Sequence, residues 1–390
     1  MTILQNGALM TPEGPLNADL RMDGGKIAEI APHIRPGGGE DVVDASGCWV
    51  CPGFIDGHTH LDLDTGATRT ADDFASGTRA AVCGTTTICD FATQDRGDTM
   101  AHALEVWHGL ADGVSSCNYA FHMAVTDWNE RTKAELPALR AAGVTSFKAY
   151  FAYDNLRLDD GAILELLESI RPFGGVLCVH CENGDVVERL RRRGQTVYAE
   201  TCPQYLLLDD SRYRLPGFEG AKYVMSPPLR GREDVRALRE AVVNGEIDTI
   251  STDHCDFNFA GQKELGRGDF TKIPNGAPGI EHRPALMFTS FSGALSPSRL
   301  CGLLSANQAR LFGMYPRKGA LAVGSDADVV VWDPRARWTI TAADQRQRVD
   351  YTPYEGMEME GRARLVYVNG VLAARNGQPT GAVAGEYIKR

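Results

Sequence analysis

Between residues 51 and 311 the chain repeats one alternation, a short apolar run followed by a stretch of helical period. The runs are WVCPGFIDGHTH, TTTICDFA, YAFHMAV, TSFKAYF, GGVLCVH, TVYAET and IDTIST. Three intervening stretches predict helices. DTMAHALEVWHGLADG has Asp98 placed to cap its start, DDGAILELLESIRP stops at Pro172, and REDVRALREAVVNG runs into Gly245. Strands separated by helices return in parallel, so this many repeats predict an α/β fold of the (β/α) barrel kind. In such a barrel, chemistry sits where strands end and loops begin.

The two chain ends read differently. TILQ before Asn6-Gly7, LRMDGGKIAEI around Asp23-Gly24-Gly25, DADVVVWDP, and RLVYVNGVLAA around Asn369-Gly370 are short strands joined by tight turns. Neither end buries much alone, so residues 1–50 and 320–390 are expected to pair into one small β-sandwich beside a barrel of residues 51–319. The 42 glycines among 390 residues exceed the usual ~7% and suit a fold of many tight turns. A formal charge of −11 repels phosphate backbones and anionic lipid heads, which argues against nucleic-acid and membrane-surface roles. No apolar run approaches the ~18 residues a membrane span needs. The opening MTILQNGALM has no basic segment of the secretory type, and a cytoplasmic location is expected. Ten scattered cysteines, including the pairs Cys48/Cys51 and Cys178/Cys181 in strand-like text, read as reduced thiols rather than disulfides or zinc fingers.

Ligand-type residues fall at successive strand ends. His58 and His60 are two apart on a strand, so both side chains point the same way, as two ligands of one metal must. Lys148 lies in the mostly apolar run VTSFKAYFAY, where a lone ammonium is costly unless paired or modified. His180 closes GGVLCVH and Asp253 closes IDTISTD. Each is singly more often structural than catalytic; four such coincidences together point to a metal-dependent site.

The text GFIDGHTHLDL, SFKAYFAYDN, VHCENGDV, AETCPQYLLLDDSRY, AKYVMSPPLR, STDHCDFNF and GQKELGRGDFTKIPNG resembles the amidohydrolase superfamily, in its dihydropyrimidinase and D-hydantoinase branch. The resemblance continues through NQARLFGMYPRKGALAVGSDADVVVWDP and VDYTPYEGMEMEGRA. It implies a TIM-like barrel with a β-sandwich, and hydrolysis of 5,6-dihydropyrimidines or hydantoins, small cyclic diamides, to N-carbamoyl amino acids. The same resemblance implies two zinc ions per subunit. His58, His60 and Asp253 would hold one, His180 the other, and a carbamylated Lys148 would bridge them. Asp253 would move a proton to the leaving nitrogen, Tyr153 would donate to the developing oxyanion, and the backbones around Ser226 and Asn275 would grip the ring's amide edges. Family members are commonly tetramers, partly through the C-terminal tail, so a homo-oligomer, dimer or tetramer, is expected.

One element of the pattern is missing. The family carries a further histidine on its sixth barrel strand, but here only Gly184 to Gln195, twelve residues, separate the fifth-strand motif from the text of the seventh. A βα unit takes roughly 30 residues. The expectation is a barrel lacking one strand–helix unit, a secure first zinc and a weak or absent second. His122 and His254 are the remaining histidines in strand text, and His33, His102, His108 and His282 read as non-ligands. Two further readings stay open: a catalytically impaired or non-catalytic scaffold of the same ancestry, and an internally deleted form of an active enzyme.

Overall fold

The computed structural model describes residues 1–180 and 184–390; Cys181 lies outside them. Seven barrel strands follow the seven apolar runs: β1 (Phe54–Thr59), β2 (Thr85–Thr93), β3 (Asn118–Ala124), β4 (Ser146–Lys148), β5 (Val176–Cys178), β6 (Glu200–Thr201) and β7 (Thr249–Ile250). β2 reads TTTICDFAT and buries all but its last residue, as a β-branched strand covered on both faces must. The first five strands form one parallel sheet in the order β5-β4-β3-β2-β1, and β6 pairs in parallel with β7. The two sheets meet at β1, where Thr59 bridges His254 and the His60 amide donates to the His254 carbonyl at 2.8 Å.

On the far side no ladder joins β5 to β6 among the described residues. Among the described residues the ring is open there, where the sequence is short. β6 and β7 are only two residues long, shorter than the runs TVYAET and IDTIST. With a partner on one side only among the described residues, the approach to β6 is tied by a side chain: the Ala199 amide donates to the Asp248 carboxylate at 2.8 Å.

The helices begin and end for local reasons. Met100–Ala111 is capped by Thr99, whose hydroxyl accepts from the His102 amide at 3.0 Å, and not by Asp98. The Asp98 carboxylate is drawn to the Thr99 amide at 2.7 Å, which leaves the cap one residue later. Asp159 caps Asp160–Ile170, and Arg232–Asn244 stops at Gly245, whose φ of 84° a side chain would resist.

Residues from both chain ends form two further sheets. One has four strands, in the order Lys26–Ala31, Asp19–Asp23, Thr2–Gln5, Asp41–Asp44. The other has seven strands and includes Ala8–Thr11, Trp49–Pro52, Val329–Thr339, Glu358–Val368 and Val371–Arg375. Leu4, Leu20, Ile27, Val50, Val329 and Leu365 fill the space between them. Asn369 and Gly370, both at positive φ, make the tight turn the Asn-Gly pair predicts. Phe54 of β1 packs on Phe288 and Trp332, with ring centroids 5.8 and 6.4 Å away, and so joins barrel to sheets. The tail returns along β3: the Tyr119 amide donates to the Glu386 carbonyl and the Ile388 amide to the Tyr119 carbonyl. Ile388 is buried against Ile55, Cys89, Ala120 and Phe312. Among the described residues no helix is long and apolar enough to cross a membrane.

Candidate metal centre

The alternation of β1 aims His58 and His60 to one side, and the turn after β7 brings Asp253 to meet them. Asp253 Oδ1 lies 3.2 Å from the Nε2 of each histidine. Asp253 adopts φ +51°, a left-handed conformation uncommon for a residue with a side chain. The backbone there is over-determined. The Thr252 amide and hydroxyl both donate to the buried Asp56 of β1, at 3.0 and 2.7 Å, and the Cys255 amide donates to the Ala277 carbonyl at 3.2 Å. Asp90 of β2 fixes the other bank, accepting from the Thr59 hydroxyl at 2.8 Å and the Leu61 amide at 2.9 Å.

Glu200 on β6 was not singled out from the sequence, although it stands in the quoted run AETCPQYLLLDDSRY. Its Oε1 lies 2.8 Å from His58 Nδ1. A carboxylate only accepts, so Nδ1 carries a proton toward Glu200, which leaves Nε2, facing Asp253, as the atom that would ligate a metal. Ser251 donates to the other Glu200 oxygen at 2.6 Å. Burial works against charge on His58, but Asp253 and Glu200 outweigh it and raise its pKa. Burial likewise opposes charge on Asp253, yet the His58 and His60 rings hold its carboxyl well below the ordinary carboxylate value.

Lys148 ends β4 only 3% exposed, its ammonium 5.7 Å from the Phe91 ring centre and 5.4 Å from that of Tyr150. Among the described residues no carboxylate pairs with it within 4.0 Å. His180 follows β5; burial and the neighbouring Lys148 charge lower its pKa to about 4, so the ring is neutral at physiological pH. Its Nε2 is buried without a hydrogen-bond partner among the described residues. Tyr153 sits on the loop after β4 at φ +69°, its ring centre 6.2 Å from that of His180. Ser226 is half-buried and Asn275 exposed. The two segments touch, since the Gly276 amide donates to the Val224 carbonyl at 3.1 Å, and the Asn275 carbonyl accepts at 3.8 Å from the thiol of Cys255, two residues beyond Asp253.

Neither alternative histidine joins this group. His122 is buried with Nε2 on the Gly57 carbonyl and Nδ1 on the Ser146 hydroxyl. His254 instead lies with Asp72 and Asp256 in a second, fully buried cluster, its Nε2 3.4 and 3.5 Å from their carboxylates. That cluster is not built for a metal. The Gly279 amide donates to His254 Nδ1 at 3.1 Å, so Nδ1 is the acceptor and the ring proton sits on Nε2, between the two carboxylates.

The chain matches the profile described as the amidohydrolase family over residues 49–373. It is 38% identical to a D-hydantoinase of Geobacillus stearothermophilus, covering all of this chain and 96% of the relative. A D-hydantoinase of Streptomyces coelicolor is 38% identical as well, over all of this chain and 98% of that protein. Among solved structures, a dihydropyrimidinase from Brevibacillus agri NCHU1002 superposes with a TM-score of 0.95 at 37% identity, covering all of this chain and 98% of that one. The Geobacillus alignment runs over 453 positions against 390 residues, so at least 63 positions of the relative face no residue here.

Proposed function

The chain belongs to the amidohydrolase family, and on that premise we propose that it hydrolyses the ring amide of hydantoins or 5,6-dihydropyrimidines to N-carbamoyl amino acids. One observation carries the reading: His58, His60 and Asp253 converge to 3.2 Å in a chain alike from end to end to D-hydantoinases. Two imidazole Nε2 atoms and a carboxylate oxygen are the donor set a zinc takes, with Glu200 fixing the tautomer of His58. Zinc held there supplies Lewis acidity and lowers the pKa of water towards neutrality.

The chain's own residues then do the rest. Asp253 carries a proton through its carboxylate to the leaving ring nitrogen, and the Tyr153 hydroxyl donates to the oxygen that gains charge. The backbone segments around Ser226 and Asn275 hold the amide edges. Lys148, as its carbamate, and His180, whose buried Nε2 lacks a partner among the described residues, are the donors for a second ion. No described histidine completes that second set, so the first ion binds tightly and the second weakly. The barrel unit spans 51–319, the sandwich 1–50 and 320–390, and the enzyme works as a cytoplasmic homo-oligomer, dimer or tetramer.

The test is ring opening of hydantoin and dihydrouracil by the zinc-supplemented chain beside His58→Ala, with metal analysis. Turnover lost in the variant, and one tight zinc per chain, is the expected result. Equal rates in both proteins would refute the assignment, and two tightly held ions would refute the asymmetry. The cut between β5 and β6 favours a second reading, an internally shortened and catalytically impaired form. An in-frame loss in the encoding DNA would identify it.

A further inference from the structure

We propose that Lys263 is the positioning residue of the substrate pocket, its buried ammonium fixing the spacing of the two backbone segments that hold the ring; this rests on the ring-opening reading above. Lys263 begins the short helix Lys263–Gly266 and is fully buried. Its Nζ donates to the carbonyls of Val224 at 2.8 Å, Pro274 at 2.6 Å and Gly276 at 2.8 Å. An ammonium has three N–H donors and no acceptor, so this cage satisfies it completely. The acceptors come from two separate stretches. Val224 precedes Ser226 by two residues, while Pro274 and Gly276 flank Asn275.

The same joint is closed on its other faces. The Gly276 amide donates to the Val224 carbonyl at 3.1 Å, and the Cys255 amide to Ala277 at 3.2 Å, two residues beyond Asp253. Gly276 has φ +146°, and a Cβ there would stand 2.1 Å from the Cys255 carbonyl oxygen, so the segment lies flush against the metal-ligand turn. No carboxylate pairs with Lys263 within 4.0 Å among the described residues. Its direct hydrogen bonds go to three carbonyls only, with the Phe257 ring centre 5.9 Å away and the Asp256 charge adding to them, and the three bonds form together only when all three carbonyls converge. Burial pulls the lysine down to about 7, and a neutral amine would turn its lone pair on one of the carbonyls. The ammonium therefore selects one spacing of the 224 and 274–276 segments. Lys263 touches none of the reacting groups; it acts through Ser226 and Asn275.

Lys263→Met removes the charge and the donors at similar length, and Lys263→Gln retains two donors without charge. The zinc-loaded proteins are compared by ring-opening kinetics, zinc content, and hydrogen–deuterium exchange over residues 224–226 and 274–277. For Lys263→Met, KM should rise about tenfold or more, with kcat within about threefold and zinc content unchanged. Amides in both segments should exchange at least about tenfold faster, and Lys263→Gln should fall between. An unchanged KM in a folded variant overturns the proposal, as does a loss confined to kcat or accompanied by lost zinc. If the unaltered chain opens neither ring, the functional reading fails instead. Exchange then decides: faster exchange confined to those segments supports the clamp, and unchanged exchange refutes it. Should Lys263→Met not fold, Lys263→Gln carries both measurements.

Discussion

Replacing Glu200 tests whether the centre depends on residues that would never touch the ion. Glu200→Ala removes the acceptor 2.8 Å from His58 Nδ1 and frees the imidazole to turn or change tautomer. Loss of such a partner behind a metal-bound histidine costs about 10–100-fold in metal affinity, or about 1.4–2.8 kcal/mol. The cost to folding is smaller. Glu200 keeps 28% side-chain exposure, so the Ser251 hydroxyl it abandons can turn to water, and about 1 kcal/mol is expected. Glu200→Gln keeps an oxygen for His58 but not the charge, and should sit near the tenfold end. Zinc affinity is read by competition with a chromophoric chelator at neutral pH, beside thermal melts of each variant. A Glu200→Ala protein that melts normally and holds zinc within about twofold of the parent would refute the argument.

Three other perturbations follow from the packing. Asp326 meets Lys26 at 2.5 Å and Arg317 and Lys318 at 2.9 Å, and although burial opposes its charge, these cations bring its carboxyl down to about 2. A depressed value stabilises the fold above about pH 4 and ceases to as pH falls through about 2, so Asp326→Asn should cost about 1–2 kcal/mol at neutral pH and the gap should narrow in acid melts; a gap independent of pH refutes this. Phe54→Ala empties the space against Phe288 and Trp332 and should cost about 3–5 kcal/mol in denaturant unfolding, with an intact melt counting against the packing argument. Gly385→Ala places a Cβ 2.0 Å from the Cys117 carbonyl oxygen, which should unseat the tail and speed its removal by carboxypeptidase; an unchanged rate would show the tail is not docked there.

Much of the architecture is written locally. Runs such as TTTICDFAT carry β-branched residues and are punctuated by helices, so their strands need no distant information. His58 and His60 stand out because a two-residue spacing on a strand has one geometric meaning. Glu200 does not, since an acidic residue at the end of QTVYAE reads like any exposed polar position until β6 is laid beside β1. Lys263 is similarly silent: its three acceptors are backbone carbonyls, which no residue type announces. The cap at Thr99 turned on which of two adjacent side chains reached the free amides, a competition that composition leaves undecided. Ile388 packs with residues as far back in the chain as Ile55, and a short tail has no period to reveal that.

A hoop open at one point, as the described residues form it, has the mechanics of a spring clip. His180 stands on one bank of the gap and Glu200 on the other, and among the described residues the backbone path between those banks runs through the five-stranded sheet, the single bridge of Thr59 to His254, and the β7–β6 pair. Bending of the sheets, together with the narrow joint at Thr59 and His254, therefore sets the gap's width. Whatever grips both banks at once does the work that backbone pairing does elsewhere around the circumference.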